Sequence, residues 1–196
     1  MSSMAVYGIE GKIAKQFVID KSTPCNPNSF YGISKLEAEN KIVELGDNHF
    51  SIAIIRAPMV YGPNCPGNYR FLRKYVKTIR ILPHLKNQRS MIFINNFTEF
   101  IRLLIDQQDR GLFFPQNKDY VDTLNMAEII AHFYGKKILI SKNLGGLLRA
   151  GRNTFTIVNK IFGNLTYDKN LSKHYDWNYC KVGFEESIEL TEKNMV

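Results

Sequence analysis

Tyr31-Gly32-Ile33-Ser34-Lys35, with Ser2-Ser3-Met4-Ala5-Val6-Tyr7-Gly8 ahead of it, is where the reading of this chain turns. On a helix, a tyrosine and a lysine four apart share one face. A lysine ammonium held beside a phenol favours the phenolate by charge attraction and lowers the tyrosine pKa towards neutral. A phenol tuned in that way takes a proton from a sugar hydroxyl or returns it to a ketone. Ser3 supplies a second hydroxyl nearby in sequence. The same spacing is common on ordinary wet helix faces, so the pair gains its weight from the sequence around it.

The surrounding segments alternate as an α/β domain requires. A loop holding Pro24 and Pro27 leads into a predicted helix over residues 30–45, with Asn28 or Ser29 as N-cap and Gly46 as its stop. Residues 51–55 form a short continuous apolar run, the pattern of a buried parallel strand. Gly62, Pro63, Pro66 and Gly67 break the chain before residues 69–77, an amphipathic helical pattern whose basic positions form the wet face. Strands over 91–94, 111–114 and 137–140 and helices over 97–107 and 125–134, the latter ended by Gly135, complete the alternation. A last helix is expected over about 184–193.

Ser-Ser-x-x-Val-Tyr-Gly followed by Tyr-Gly-x-Ser-Lys-x-x-x-Glu (Tyr31 to Glu39) resembles the extended short-chain dehydrogenase/reductase family, that of the NAD-dependent sugar-nucleotide epimerases, dehydratases and 4-keto reductases. Ile55-Arg56-Ala57-Pro58-Met59-Val60-Tyr61-Gly62-Pro63 resembles its next strand and substrate-side loop. Asn87-Gln88-Arg89-Ser90-Met91-Ile92-Phe93-Ile94-Asn95-Asn96 resembles the strand whose preceding arginine binds the nucleotide diphosphate. The resemblance implies Tyr31 as general acid/base, Lys35 as its tuner and a ribose contact, and Ser3 on the reacting sugar oxygen. It implies Arg89 on the diphosphate, where a planar fork suits phosphate oxygens. Pro58 falls on the cofactor side, and Met59 on the substrate side where many members carry asparagine. The wording is most like the capsule and O-antigen branch, whose substrates are UDP-linked hexoses. Dehydratases of the family place an Asp-Glu pair after the hydroxyl residue; Met4-Ala5 stands there and does no acid/base work. An epimerase or a 4-keto reductase acting at C4 of a UDP-hexose, with NAD or NADP, is therefore the expectation.

One expected motif is missing. The family cradles the dinucleotide pyrophosphate with a Gly-x-x-Gly-x-x-Gly turn that opens a helix, and these 196 residues contain none. The serine segment normally follows the fifth strand of a doubly wound parallel sheet, so about 100 residues of cofactor domain belong ahead of it. The fold expected is accordingly the C-terminal part of a Rossmann-like sheet, over residues 1–110, with a substrate-binding lobe mainly over 111–196. The N-terminal cofactor half would be absent and one sheet edge open. Such a chain is expected to bind NAD(P) poorly alone and to aggregate. A complementing N-terminal half or a homodimer would be its partner, and a truncated, non-catalytic remnant or half of a split enzyme is the alternative.

Composition narrows the rest. Three cysteines, Cys25, Cys65 and Cys180, and four scattered histidines make no metal-site spacing, and a reducing cytoplasm suits them. No secretory leader pattern opens the sequence and no apolar run approaches a membrane span. The net charge of +8 raises nucleic acid as a partner, but the basic positions of 69–77 fit a solvated helix face, and a sugar nucleotide also favours a positive cleft. The basic amphipathic stretch 144–162 suits an anionic membrane surface, yet packs equally well as a helix of the substrate lobe.

Overall fold

A computed structural model describes residues 1–13, 15–47, 49–150 and 156–195. In chain order the elements are β1 (Ser2–Ser3), a 3-10 turn (Met4–Tyr7), β2 (Val18–Ile19), α1 (Phe30–Val43), β3 (Ala53–Ala57) and β4 (Met59–Tyr61). There follow α2 (Asn68–Thr78), β5 (Ile81–Pro83), β6 (Met91–Phe93), α3 (Ile94–Asp106), β7 (Gly111–Phe113) and α4 (Thr123–Phe133). The last are β8 (Leu139–Ser141), α5 (Lys142–Ala150), α6 (Thr156–Phe162), β9 (Thr166–Tyr167), α7 (Lys169–Ser172), a turn at Tyr175–Trp177 and α8 (Phe184–Lys193).

The central sheet has the parallel order β1-β3-β7. Side chains of a strand alternate between its faces, and β3 shows this plainly. Ile55 and Ala57 pack with Phe113 against Phe97, Phe100 and Leu104 of α3. Arg56 points to the opposite face and meets Glu39 of α1. The sheet is thus covered by α3 on one side and by α1 on the other, as the doubly wound pattern requires. Among the described residues β1 has a strand on one side only. Three further two-stranded parallel pairs, β2–β9, β4–β6 and β5–β8, lie outside this sheet.

Local chemistry accounts for the helix ends. Ser29 is extended and its hydroxyl accepts from the Gly32 N–H, capping α1 as one of the two residues expected to do so. The helix ends at Val43, two residues before the expected end; Gly46 follows with its N–H on the Val43 carbonyl. Asp122 caps α4 by accepting from Leu124 and Asn125, and Gly135 takes a left-handed φ of 62° just past its end. Strand β3 begins at Ala53, where ladder pairing with β7 starts, rather than at residue 51.

The C-terminal helix α8 is tied in by polar groups with almost no exposure. The Tyr61 and Ser187 hydroxyls lie 2.7 Å apart, and Asn117 donates to Tyr61 at 3.0 Å. Asn96 bonds both the carbonyl and the N–H of Val182. Glu192 is buried and accepts from Tyr69, Tyr134 and Arg73, each at 2.7 Å.

Candidate active site

Strand register assembles the residues marked by the sequence. Ser3 at the end of β1 lies opposite Ala57 at the end of β3, so Pro58 and Met59 leave the sheet at the level of Ser3. Met59 in turn pairs with Met91 of β6, and Arg89 stands two residues ahead of that strand. Ser3, Pro58 and Met59 therefore gather at the carboxyl ends of neighbouring parallel strands, where open α/β sheets bind ligands.

Two glycines set α1 against the serine loop. A Cβ on Gly32 would lie 2.5 Å from the Ala5 carbonyl oxygen, so only glycine lets the first turn of α1 rest on the 3-10 turn. Gly8 has a φ of +62°, and a Cβ there would meet the Asn26 carbonyl oxygen. The glycines of Val-Tyr-Gly and of Tyr-Gly-x-Ser-Lys are thus two halves of one close approach.

Around that contact the reactive groups are disposed as follows. Ser3 Oγ accepts from the Ala5 N–H at 3.2 Å, which fixes the oxygen and leaves its O–H to donate elsewhere. Tyr31 is 55% exposed. The Lys35 ammonium stands 5.6 Å from the centre of the Tyr31 ring, on the same helix face. Tyr31 faces open space at the start of α1, and Lys35 is half-buried. Met59 and Arg89 line a small cleft with Tyr69, Thr123 and Ile161. Arg89 Nη1 donates to the carbonyls of Lys160, Ile161 and Gly163, capping the end of α6, and burial pulls its guanidinium below the ordinary value. Among the described residues its Nε and Nη2 have no partner.

A buried clamp behind the site was not assigned a role from the sequence. Arg56 meets the Glu39 carboxylate through Nε at 3.0 Å and Nη2 at 2.6 Å, and donates through Nη1 to the Tyr7 hydroxyl at 2.9 Å. Burial opposes the Arg56 charge, but the bonds to Glu39 and Tyr7 outweigh it and hold the guanidinium above its ordinary value. Tyr167 closes the assembly by donating to the Arg56 carbonyl at 3.0 Å. Glu39 lies one helical turn beyond Lys35. The clamp thereby joins the helix bearing Tyr31 and Lys35, the turn after Ser3, and the strand leading to Pro58 and Met59. Its one sequence signal was the glutamate four residues after the lysine.

The fit to a nicotinamide dinucleotide is partial. Tyr31, Lys35 and Ser3 offer a phenol, an ammonium and a donating hydroxyl of the kind a nicotinamide and ribose end takes, on a helix and a loop that meet at Gly32. For the pyrophosphate, no glycine-spaced turn joins a strand to a helix among the described residues. No group of three or more His, Cys, Asp or Glu capable of holding a metal occurs among them either. No helix there is long and apolar enough to cross a membrane.

Comparison with known proteins bears on the family and the fold. A UDP-glucose 4-epimerase of Vibrio cholerae is 38% identical over 84 residues, which are 41% of this chain and 26% of that protein. The UDP-glucuronic acid 4-epimerase of Bacillus cereus, solved with NAD, superposes with a TM-score of 0.69 at 16% identity over 98% of this chain and 59% of that one. The Thermus thermophilus UDP-glucose 4-epimerase, also solved with NAD, gives 0.66 at 19% identity over 98% and 61%. The chain thus spans about three fifths of these solved structures and about a quarter of the curated relative. The profile of the NAD dependent epimerase/dehydratase family matches residues 1–121, from the serine loop through Arg89, and the chain belongs to that family.

Proposed function

We propose that this chain is the catalytic and substrate-binding part of an NAD(P)-dependent sugar-nucleotide epimerase or 4-keto reductase acting at C4 of a UDP-hexose. The observation that carries it is the docking of the Tyr31–Lys35 helix on the Ser3 loop through Gly32. Tyr31 would hold or release the proton of the C4 hydroxyl, with the Lys35 ammonium stabilising the phenolate. Ser3 would donate its O–H to the same sugar oxygen. Arg89 would offer Nε and Nη2 to the diphosphate while Nη1 stays on the α6 carbonyls. Nicotinamide, when bound, supplies the hydride chemistry that partners this proton movement. Met4 and Ala5 leave no acid/base pair for dehydration. The similarity to epimerases and the Arg89 segment together support a UDP-linked substrate of the capsule and O-antigen kind, handled in the cytoplasm.

The pyrophosphate cradle is the part these residues do not provide, and in this reading it comes from sequence outside them or from a complementing chain. The absent glycine turn also favours a second reading: a non-catalytic chain, or one half of a split enzyme, that is inactive alone. Titration with NAD and NADP separates the two, since a competent site quenches intrinsic fluorescence saturably and a remnant gives no response. In the cofactor-competent protein, Tyr31→Phe should lower turnover of UDP-hexose by about 10² to 10⁴ without changing the thermal midpoint. Wild-type turnover in that variant would overturn the assignment.

A further inference from the structure

Acidic residues are spread unevenly along this chain. Residues 48–98 and 129–167 together hold fourteen Lys and Arg and no Asp or Glu. The remaining residues carry twelve Lys and Arg against eighteen Asp and Glu. The net charge of +8 is therefore a strongly basic portion set on an acidic one. The fold brings the two acid-free segments together: β5 of the first pairs in parallel with β8 of the second, and α5 packs on β5. Of their cations, Arg56 and Arg73 form ion pairs among the described residues, both with glutamates outside the segments.

The outer side of the β5–β8 pair shows aliphatic side chains ringed by these cations. Ile81 and Leu139 are register partners, 46% and 67% exposed, and Ile79 is exposed beside them. The Leu139 N–H bonds the carbonyl of Arg80 at 2.7 Å, and the Lys136 ammonium reaches the Lys77 carbonyl. Arg80, Lys136 and Lys137 are all exposed around the aliphatic ridge. Single exposed aliphatics are ordinary. A ridge of them among Arg80, Lys136 and Lys137, which form no ion pair among the described residues, is complementary to a surface that is apolar beneath and anionic at its rim.

We propose that the β5–β8 face docks on a bilayer containing anionic phospholipid, with Ile79, Ile81 and Leu139 at the headgroup–acyl boundary and Arg80, Lys136 and Lys137 on the phosphates. Lipid fits better than nucleic acid because the most exposed side chains of the pair, Ile81 and Leu139, are aliphatic and offer neither a ring to stack on nor a base-reading amide. The attachment is peripheral. It lies on elements that carry none of Ser3, Tyr31 or Lys35, so it stands independently of the catalytic reading.

The test is flotation of the 196-residue chain with vesicles on a density gradient, which separates bound protein from any aggregate. Vesicles of phosphatidylcholine with about one third phosphatidylglycerol should carry the chain up at low salt, and release it near about 0.5 M salt. Pure phosphatidylcholine vesicles should leave it at the bottom. Arg80→Glu with Lys137→Glu should weaken binding at least about tenfold. Leu139→Ser should weaken it about fivefold while both variants keep the wild-type circular dichroism spectrum. Absence of flotation with the anionic vesicles, equal flotation with neutral ones, or unchanged flotation of the charge variant would each overturn the proposal. So would an oligonucleotide duplex that binds the chain and displaces it from the vesicles.

Discussion

Replacing Glu192 with alanine should be among the most damaging single changes outside the apolar core. The Glu192 carboxylate takes the Tyr69 hydroxyl on one oxygen and the Tyr134 hydroxyl and Arg73 Nε on the other, all at 2.7 Å. Its side chain has no solvent exposure, whereas Arg73 retains 19%. Removing one partner of a buried ion pair costs about 3–5 kcal/mol. Arg73 can partly turn to water and keeps its Nη2 bond to the Tyr134 hydroxyl, which favours the lower end of that range. Tyr69 is almost fully buried and loses its acceptor, which works the other way. An overall cost of about 4 kcal/mol follows, or a fall in Tm of about 8–16 °C for a chain of this size. Glu192→Gln preserves volume and one acceptor, so about half that loss is expected. Urea unfolding followed by circular dichroism measures both, and Arg73→Ala completes the cycle. A Glu192→Ala cost below about 1 kcal/mol, or strict additivity with Arg73→Ala, would refute the view of α8 as held by this carboxylate.

Three other outcomes are expected. Gly32→Ala should cost about 2 kcal/mol, read as a lower thermal midpoint, because the new methyl meets the Ala5 carbonyl rather than a flexible side-chain end. Asp176→Gly should stabilise by about 0.5–1 kcal/mol in urea titration, since Asp176 is 86% exposed at its side chain and held at φ 48°, ψ 35° between two other left-handed residues. Burial holds the His174 imidazole below its ordinary pKa among Phe100, Phe113 and Tyr175, with Asp109 and a bond to Leu171 opposing the shift. The folded state then binds fewer protons than the unfolded one, so its contribution is full above the ordinary histidine pKa of about 6.5 and is lost as pH falls through that value towards the folded one. Urea midpoints at pH 7.5 and 5.5 should converge in His174→Phe compared with the wild-type pair.

Elements with a strong local signal were legible in the sequence. Helix α8 runs from Phe184 to Lys193 as its pattern indicated, and the Tyr31–Lys35 helix begins at its Ser29 cap. The expected strand at 51–55 was displaced to Ala53–Ala57, since an apolar run marks burial but not where ladder pairing begins. Strands of two or three residues, such as β2 and β9, have too few residues for a period and exist because a distant partner satisfies them. The basic stretch 144–162 resolves into α5 and α6, with 151–155 outside the described residues. The Arg56–Glu39 contact joins residues seventeen apart, and the hold of α6 on Arg89 spans more than seventy. Such pairings depend on how elements are laid together, which composition and periodicity do not encode.

The seating of α8 bears on how the protein is made. Tyr61, Tyr69 and Asn96 are built early, yet the groups that satisfy them, Ser187, Glu192 and Val182, emerge last. Synthesis delivers about 5–20 residues per second. For several seconds the nascent chain therefore holds Tyr69 without the carboxylate that accepts its hydroxyl, while Tyr61 and Asn96 have only Asn117. Until α8 arrives water takes the place of Ser187, Glu192 and Val182, so a ribosome stalled before residue 182 would leave the α8-facing side of α4 wet and open to a chaperone.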